Sequence, residues 1–382
     1  MMNGDDTQDW QPDPDELIVR SKTERRRLAR ARALPTWGET PEQTRTRRTA
    51  LFKSQALACG FSRVGVARAD ALPQQQAHLE AWLAAGQHGT MAWLAEDVAR
   101  RCDPERVVAG AQSVVMLALD YDSDAPRTAD VPLQSEDRAW ISRYAWGDDY
   151  HGVVERRLKR LEASLSAALK PELGDDFRGP NGPIAPFKAV RDLRWMVDYG
   201  PALEREWAVR AGLGWRGKHS LVIHPRHGSL FFLACMITSI DLQPDEMLGD
   251  FCGTCTACLD ACPTQAIVAP YVVDARLCIS HTTIETTGAI PQAERHLPGN
   301  QVFGCDICQD VCPWNRFSQP GDPAFAPRPE NFAPRVDDLL ALDADAFARQ
   351  FAQSAVKRRG LEGLQDNARA VREGRSAALR HK

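Results

Sequence analysis

Thiols whose spacing could wrap iron are the most chemically pointed residues of this chain. Eight of its 11 cysteines lie between Cys252 and Cys312. The first run is Cys252-x-x-Cys255-x-x-Cys258-x-x-x-Cys262-Pro263, the second is Cys305-x-x-Cys308-x-x-x-Cys312-Pro313, and Cys278 lies between them. A two-residue gap lets successive thiolates hold one cubane, whereas a three-residue gap ending in Cys-Pro sends the next thiolate to a second cubane. That spacing assigns Cys252, Cys255, Cys258 and Cys312 to one [4Fe–4S] cluster. It assigns Cys262, Cys278, Cys305 and Cys308 to another, with Cys278 supplying the ligand the second run lacks. Structural zinc, built from paired C-x-x-C knuckles, would need neither the third cysteine of the first run nor the Cys-Pro endings. Disulfides suit short secreted chains, and this chain is long and lacks a signal peptide. Cys59, Cys102 and Cys235 read as small buried hydrophobes. Clusters of this kind pass single electrons, so the rest of the chain must say where the electrons go.

The 382 residues are 43% hydrophobic, enough for two or three domains with cores of their own. No apolar run is long enough to cross a bilayer. The N-terminus is acidic, with none of the basic-then-apolar order of a secretory signal. The expected compartment is therefore the cytoplasm, where thiolates stay reduced, and the expected state is a monomer. The net charge of −4 does not advertise a nucleic-acid binder. Arg20 to Arg32 and Lys357-Arg358-Arg359 are nevertheless locally basic, and such runs are usually solvated faces.

Around these motifs the pattern is mixed helix and strand, the α+β class. Residues 1–45 are polar and without apolar period, so they read as a disordered extension with a short basic helix near Ser21–Ala33. Residues 46–245 read as an α/β domain. Its helices are Ala50–Cys59, Leu79–Ala85, Tyr150–Leu169 and Leu203–Ala211. Its strands are Arg63–Ala67, Val114–Leu119 and Leu193–Val197. Ser220–Ile223 and Leu230–Ile237 flank His224-Pro225-Arg226-His227-Gly228 and are expected to form a hairpin. A ferredoxin-like two-cluster domain at 246–325 follows, then a basic helical tail at 326–382 with apolar contacts at Val336–Leu342 and Ala346–Phe351.

Three stretches together resemble the epoxyqueuosine reductase family. They are Ser142-Arg143-Tyr144-Ala145-Trp146-Gly147-Asp148-Asp149-Tyr150-His151, then Val197-Asp198-Tyr199-Gly200-Pro201 with Arg210-Ala211-Gly212-Leu213-Gly214-Trp215-Arg216-Gly217-Lys218-His219-Ser220, and the cysteine pattern with Cys278-Ile279-Ser280. The resemblance runs from about Leu51 to Asn367. It implies a cobalamin bound in the first domain and fed with electrons by the two clusters. The substrate would be a tRNA whose wobble base carries an epoxycyclopentane ring, reduced to queuosine with two electrons and two protons. The electron donor would be a low-potential one.

Asp198 alone reads as a turn aspartate; the resemblance makes it the proton donor and a cofactor neighbour. It also implies cobalamin contacts from Arg101, Ser142, Lys218, His219 and Ser220, each of which has an ordinary structural reading as well. The chain departs from the family pattern at Tyr199, where Thr is common, and at Asp366, where Arg is common. In Asp149-x-His151 the cobalt-ligating pattern Asp-x-His-x-x-Gly is broken by Val154, so no protein histidine is expected on cobalt; Asp148 or Asp149 would cap the following helix. The family's C-terminal basic segment, matched by Ser354 to Gly360, implies a reach toward tRNA phosphates. The competing readings are a corrinoid and iron–sulfur reductase acting on a small molecule, a non-catalytic ferredoxin-like carrier and a corrinoid trafficking protein. The carrier leaves the long first domain unexplained.

Overall fold

A computed structural model describes residues 38–133, 137–173 and 193–380. The expected basic helix near Ser21–Ala33 lies outside them.

The centre is a four-stranded sheet of β1 (Arg63–Arg68), β2 (Ser113–Asp120), β3 (Leu193–Met196) and β4 (Phe231–Thr238), in the order β1-β2-β4-β3. Every pairing is antiparallel, so the α/β expectation for this domain is corrected to an antiparallel sheet covered on both faces. The continuous apolar run Val114–Leu119 follows from that double cover. Val115, Leu117 and Leu119 pack under α1 (Pro41–Ala58) and α2 (Tyr150–Leu173), while Val114, Met116 and Ala118 pack under α3 (Glu204–Arg210). On α2, Val154, Leu158, Leu161 and Leu165 form the buried stripe that their spacing predicts. Close packing of α3 fixes Gly65, because a Cβ there would strike the Ala211 backbone.

Three sequence expectations need correction. First, α1 starts at Pro41, before the expected edge of the extension. The Thr40 hydroxyl accepts from Gln43 N (3.2 Å) and the Gln43 side chain accepts from Thr40 N (2.8 Å), a reciprocal cap that starts the helix in polar sequence. Second, Val222–Ile223 pairs with Trp215–Arg216, whereas β4 joins the central sheet. The two are not a hairpin; only His224 and Gly228 pair across the loop. Third, the residues after 326 are helical with the apolar contacts expected at 336–342 and 346–351, but they are built into the body and do not hang from it as a tail. Val336, Leu339, Phe351, Leu364 and Val371 share one apolar core with Trp140, Ile141, Trp146, Val302 and Phe303.

The C-terminal helix α4 (Gly360–Arg380) therefore closes a core between the first domain and the cysteine-rich segment. Fully buried Asn367 holds it there, donating to Thr283 O and Val302 O at 2.8 Å each. The segment 301–303 pairs in parallel with 140–141. Asp306, between Cys305 and Cys308, accepts from Trp140 Nε1 (2.8 Å), Arg143 N (2.7 Å) and the Ser142 hydroxyl. No helix among the described residues is long and apolar enough to cross a membrane.

Candidate active site and cluster ligands

The cysteine-rich loops bring their thiols into two neighbouring groups. Cys252, Cys255, Cys258 and Cys312 line one small void together with Lys218, His219 and Trp314. Cys312 lies within electrostatic reach of Cys252, Cys258 and Cys255. Cys308 feels Cys278 most strongly among the thiols, then Cys258 and Cys262, and Cys305 feels Cys308 and Cys278. All eight are free thiols. The buried Nε2 of His219 has no hydrogen-bond partner among the described residues. A void walled by four thiols, with an unspent imidazole nitrogen on its rim, suits a cubane with acceptor sulfurs. Among the described residues no three Cys, His, Asp or Glu side chains converge as they would on a single ion. Around the first group stand Trp215, Phe251 and Trp314, with Trp215 centred 5.1 Å and 4.9 Å from the other two. Lys218 ties the loop down, donating to Gly253 O (2.7 Å) and Cys255 O (2.9 Å).

The second feature is the turn after β3. Asp198 has a left-handed φ of +53°, and Tyr199 N donates to Val197 O at 2.6 Å, closing a γ-turn about the aspartate. Such a turn holds strain, of order 1–3 kcal/mol, and is worth keeping only where it aims a side chain. Gly200 follows because a Cβ there would collide with the Met196 side chain. The Asp198 carboxylate accepts from the Tyr150 hydroxyl. Its backbone N–H is bound by Glu204 Oε1 at 2.9 Å.

Asp198 and Arg205 are open to solvent and Glu204 half-open, yet protein surrounds all three on most sides. That combination describes the wall of a concave cleft. Burial raises the Asp198 carboxyl above its ordinary value, against the hydrogen bond from Glu204 and the charges of Arg205 and Arg358. Burial, then the Asp198 charge, raises Glu204 well above its own. Arg205 faces both carboxyls and also lies within reach of Cys278. The same cleft thus touches a carboxyl whose surroundings raise it and a thiol of the second group. This arrangement fits a broad cofactor set between a cluster and a proton donor.

The structure separates the other expected cofactor contacts. The Ser220 hydroxyl accepts from Arg205 (3.3 Å) and so sits at the cleft. Lys218 and His219 belong to the wall of the first thiol group. Burial, with Arg205 nearby, lowers the His219 imidazole to about 4, so it is neutral there. Ser142 is buried and its hydroxyl is bonded to Asp306. Arg101 binds Trp93 O (2.8 Å) and Glu96 O (3.3 Å) and lies over the Trp93 ring.

Tyr150, Glu204, Arg205, Glu285 and Arg358 complete the cleft; Tyr150 lies in the Ser142–His151 stretch and Arg358 in the basic run, while Glu204, Arg205 and Glu285 carried no local signal in the sequence. Arg358 pairs with Glu285 (2.7 Å), which lies on the π-helical turn His281–Glu285 after Cys278. Of the basic run, Arg359 turns inward to Thr286 O and Gly288 O, and Lys357 pairs with Asp149 (2.9 Å). Lys357 and Arg358 still leave about half of their side chains in solvent, at 51% and 54%. Asp366 accepts from Arg295 (2.9 Å) and Ile290 N (2.7 Å), a structural use of that departure.

Comparison with known proteins gives concordant matches. A family model described as "4Fe-4S double cluster binding domain" matches residues 251–315, and one described as "Epoxyqueuosine reductase QueG, DUF1730" matches 101–177. An epoxyqueuosine reductase of Cellulophaga algicola is 39% identical over 325 residues, covering 85% of this chain and 98% of that protein. One from Escherichia coli (strain K12) is 39% identical over 310 residues, covering 81% and 76%. A crystal structure of epoxyqueuosine reductase with a tRNA-Tyr epoxyqueuosine-modified stem loop matches with a TM-score of 0.72 at 33% identity, covering 85% of this chain and 81% of that one.

Proposed function

Because the chain belongs to the epoxyqueuosine reductase family, we propose that it reduces epoxyqueuosine to queuosine at the wobble position of tRNA, the last step of queuosine synthesis. The observation that carries the reading to particular residues is the strained Asp198 turn at the wall of a cleft that also reaches Cys278. Two [4Fe–4S] clusters and a cobalamin, when bound, supply the two electrons that remove the epoxide oxygen. Cys252, Cys255, Cys258 and Cys312 hold one cluster; Cys262, Cys278, Cys305 and Cys308 hold the other. Asp198, Arg205 and Ser220 would line the cleft on the side that takes the cobalamin.

Asp198 holds a proton on its carboxyl and delivers it to the epoxide oxygen as that oxygen leaves carbon. Its enclosure raises the carboxyl above its ordinary value and so favours the protonated form, and Tyr150 fixes the direction of the carboxyl. Lys357 and Arg358 at the rim offer charge to the tRNA backbone. The reading includes a low-potential electron donor, a monomeric state and a cytoplasmic setting.

The test is nucleoside analysis of tRNA carrying epoxyqueuosine after incubation with anaerobic, cluster- and cobalamin-loaded protein and a low-potential reductant. Queuosine should appear as epoxyqueuosine disappears; intact epoxyqueuosine with fully loaded protein refutes the reading.

His151 does not bind cobalt in this scheme. Its Nδ1 is bound to Asp149 Oδ1 at 2.9 Å and its ring stacks on Tyr150, centroids 4.1 Å apart. Burial opposes ionisation of Asp149, but hydrogen bonds to His151 and Lys357 outweigh it and hold that carboxyl well below the ordinary range. His151→Ala should leave the cob(II)alamin paramagnetic resonance spectrum unchanged. Nitrogen superhyperfine coupling present in the wild type and absent in the variant would show the opposite.

A further inference from the structure

Asp198 does not stand alone in the cleft. Glu204, the first residue of α3, reaches back six positions and accepts the Asp198 backbone N–H at 2.9 Å. That contact sets its carboxyl beside the Asp198 carboxyl, whose charge raises it further. The bond to the backbone pins the left-handed turn from the helix side, while Tyr150 holds the carboxyl from the other. Two carboxyl groups this near to each other inside an enclosed space resist ionising together, which favours one proton held between them.

We propose that Glu204 is a positioning residue that clamps the Asp198 turn and shares with Asp198 the proton that Asp198 delivers. The inference rests on Asp198 being the proton donor. Glu204 touches Asp198 and acts through it.

The proton count closes. One proton passes from the pair to the epoxide oxygen as the first carbon–oxygen bond accepts electrons and breaks. The pair, left doubly charged, takes a proton back from water, to which Glu204 is partly open. A second proton follows as the second carbon–oxygen bond breaks and the oxygen departs as water. The two electrons come from the low-potential donor through the clusters, so each turnover consumes two electrons and two protons.

Several groups face the pair from the elements packed around it. They are Arg205 on α3, Arg358 before α4, Glu285 on the π-helical turn, Tyr144, Tyr150 and Tyr199 around the turn, and Cys235 on β4. The two arginines favour ionisation of the pair, and Glu285 opposes it. Activity needs the shared proton. It should therefore be full below the upper titration step of the pair and fall as pH rises through it. Burial and the neighbouring carboxylate put that step well above the ordinary carboxyl range.

The test compares wild-type holoenzyme with Glu204→Gln, Glu204→Asp and Asp198→Asn, all matched for iron and cobalamin. Turnover is measured across pH, alongside infrared difference spectra of the carboxyl bands in enzyme at rest. The Gln amide can still accept the Asp198 N–H, so tRNA affinity and KM should hold. The proton can no longer be shared between carboxyls. Turnover at neutral pH should fall by about tenfold or more, and the alkaline limb should move to lower pH. The protonated-carboxyl band of the wild type at neutral pH should vanish in the same variant.

Glu204→Asp should lie between the two, with its limb partly restored. An unshifted limb in both Glu204 variants, while Asp198→Asn is inactive, overturns the shared proton alone. An active Asp198→Asn overturns the donor assignment itself. Should Glu204→Gln fail to retain iron, the limb of Glu204→Asp decides in the same way, an unmoved limb being the refutation.

Discussion

Asp198→Asn is expected to lower turnover by about a hundredfold or more, the scale of a lost general acid, while iron content, cobalamin loading and tRNA affinity stay near wild type. Asparagine keeps the size of the side chain and its tolerance of the left-handed turn, but it has no carboxyl proton to give. The loss should therefore appear in kcat and not in KM. Asp149→Asn is the contrast. Asp149 is held ionised by His151 and Lys357, so it has no proton to deliver; its replacement should cost stability before turnover. Conversion of epoxyqueuosine in tRNA, followed under a low-potential reductant with both variants equally loaded, separates the two. A near wild-type rate for Asp198→Asn beside a dead Asp149→Asn would transfer the donor role to the other carboxyl.

The second large effect concerns iron. Reconstituted wild-type protein should carry about eight irons, four per cubane. Cys312→Ala should drop the count toward about four and abolish turnover, because a relay lacking one station passes no electrons. The cluster lost is the one that Cys252 holds, although the two residues are far apart in sequence, since both line the same void. Cys235→Ala is the control: this thiol is buried in β4, where enclosure raises it well above its ordinary value, so it stays a protonated hydrophobe. Iron content should not change there. Stoichiometric zinc without iron uptake would sink the cluster assignment.

The residues that could be read from sequence are those whose chemistry is encoded by short spacing. The cysteine runs group in space as their gaps imply, because a thiolate two or three residues from its neighbour has few places to go. The Asp198 turn was legible as a strand end followed by Gly-Pro. Glu204 was not, since an acidic residue at a helix start is ordinary, and only the fold turns it back onto Asp198. The pairing of Arg358, visible only as part of a basic run, with Glu285 was hidden for the same reason, the two lying over seventy residues apart until the π-helical turn and the C-terminal segment meet. The misread hairpin shows the converse. Two apolar runs around the His224–Gly228 loop, with its Pro and Gly, satisfy the local rule, but β4 gains more by burying both faces in the central sheet. Ser142 carries a bond that no local pattern announces, its hydroxyl meeting Asp306 more than 160 residues away.

That use of Asp306 bears on modularity. Its carboxylate is the shared acceptor for Trp140, Ser142 and Arg143, and it sits between two cluster cysteines. Severing the chain near 245 to borrow the electron-carrying half would strip this buried group of all three donors, each unmet polar partner costing about 1–3 kcal/mol. It would also open the apolar core shared by Trp140, Phe303 and Leu364. The iron-bearing half is thus no interchangeable cartridge. A graft of it onto another scaffold would have to bring the 139–146 segment along.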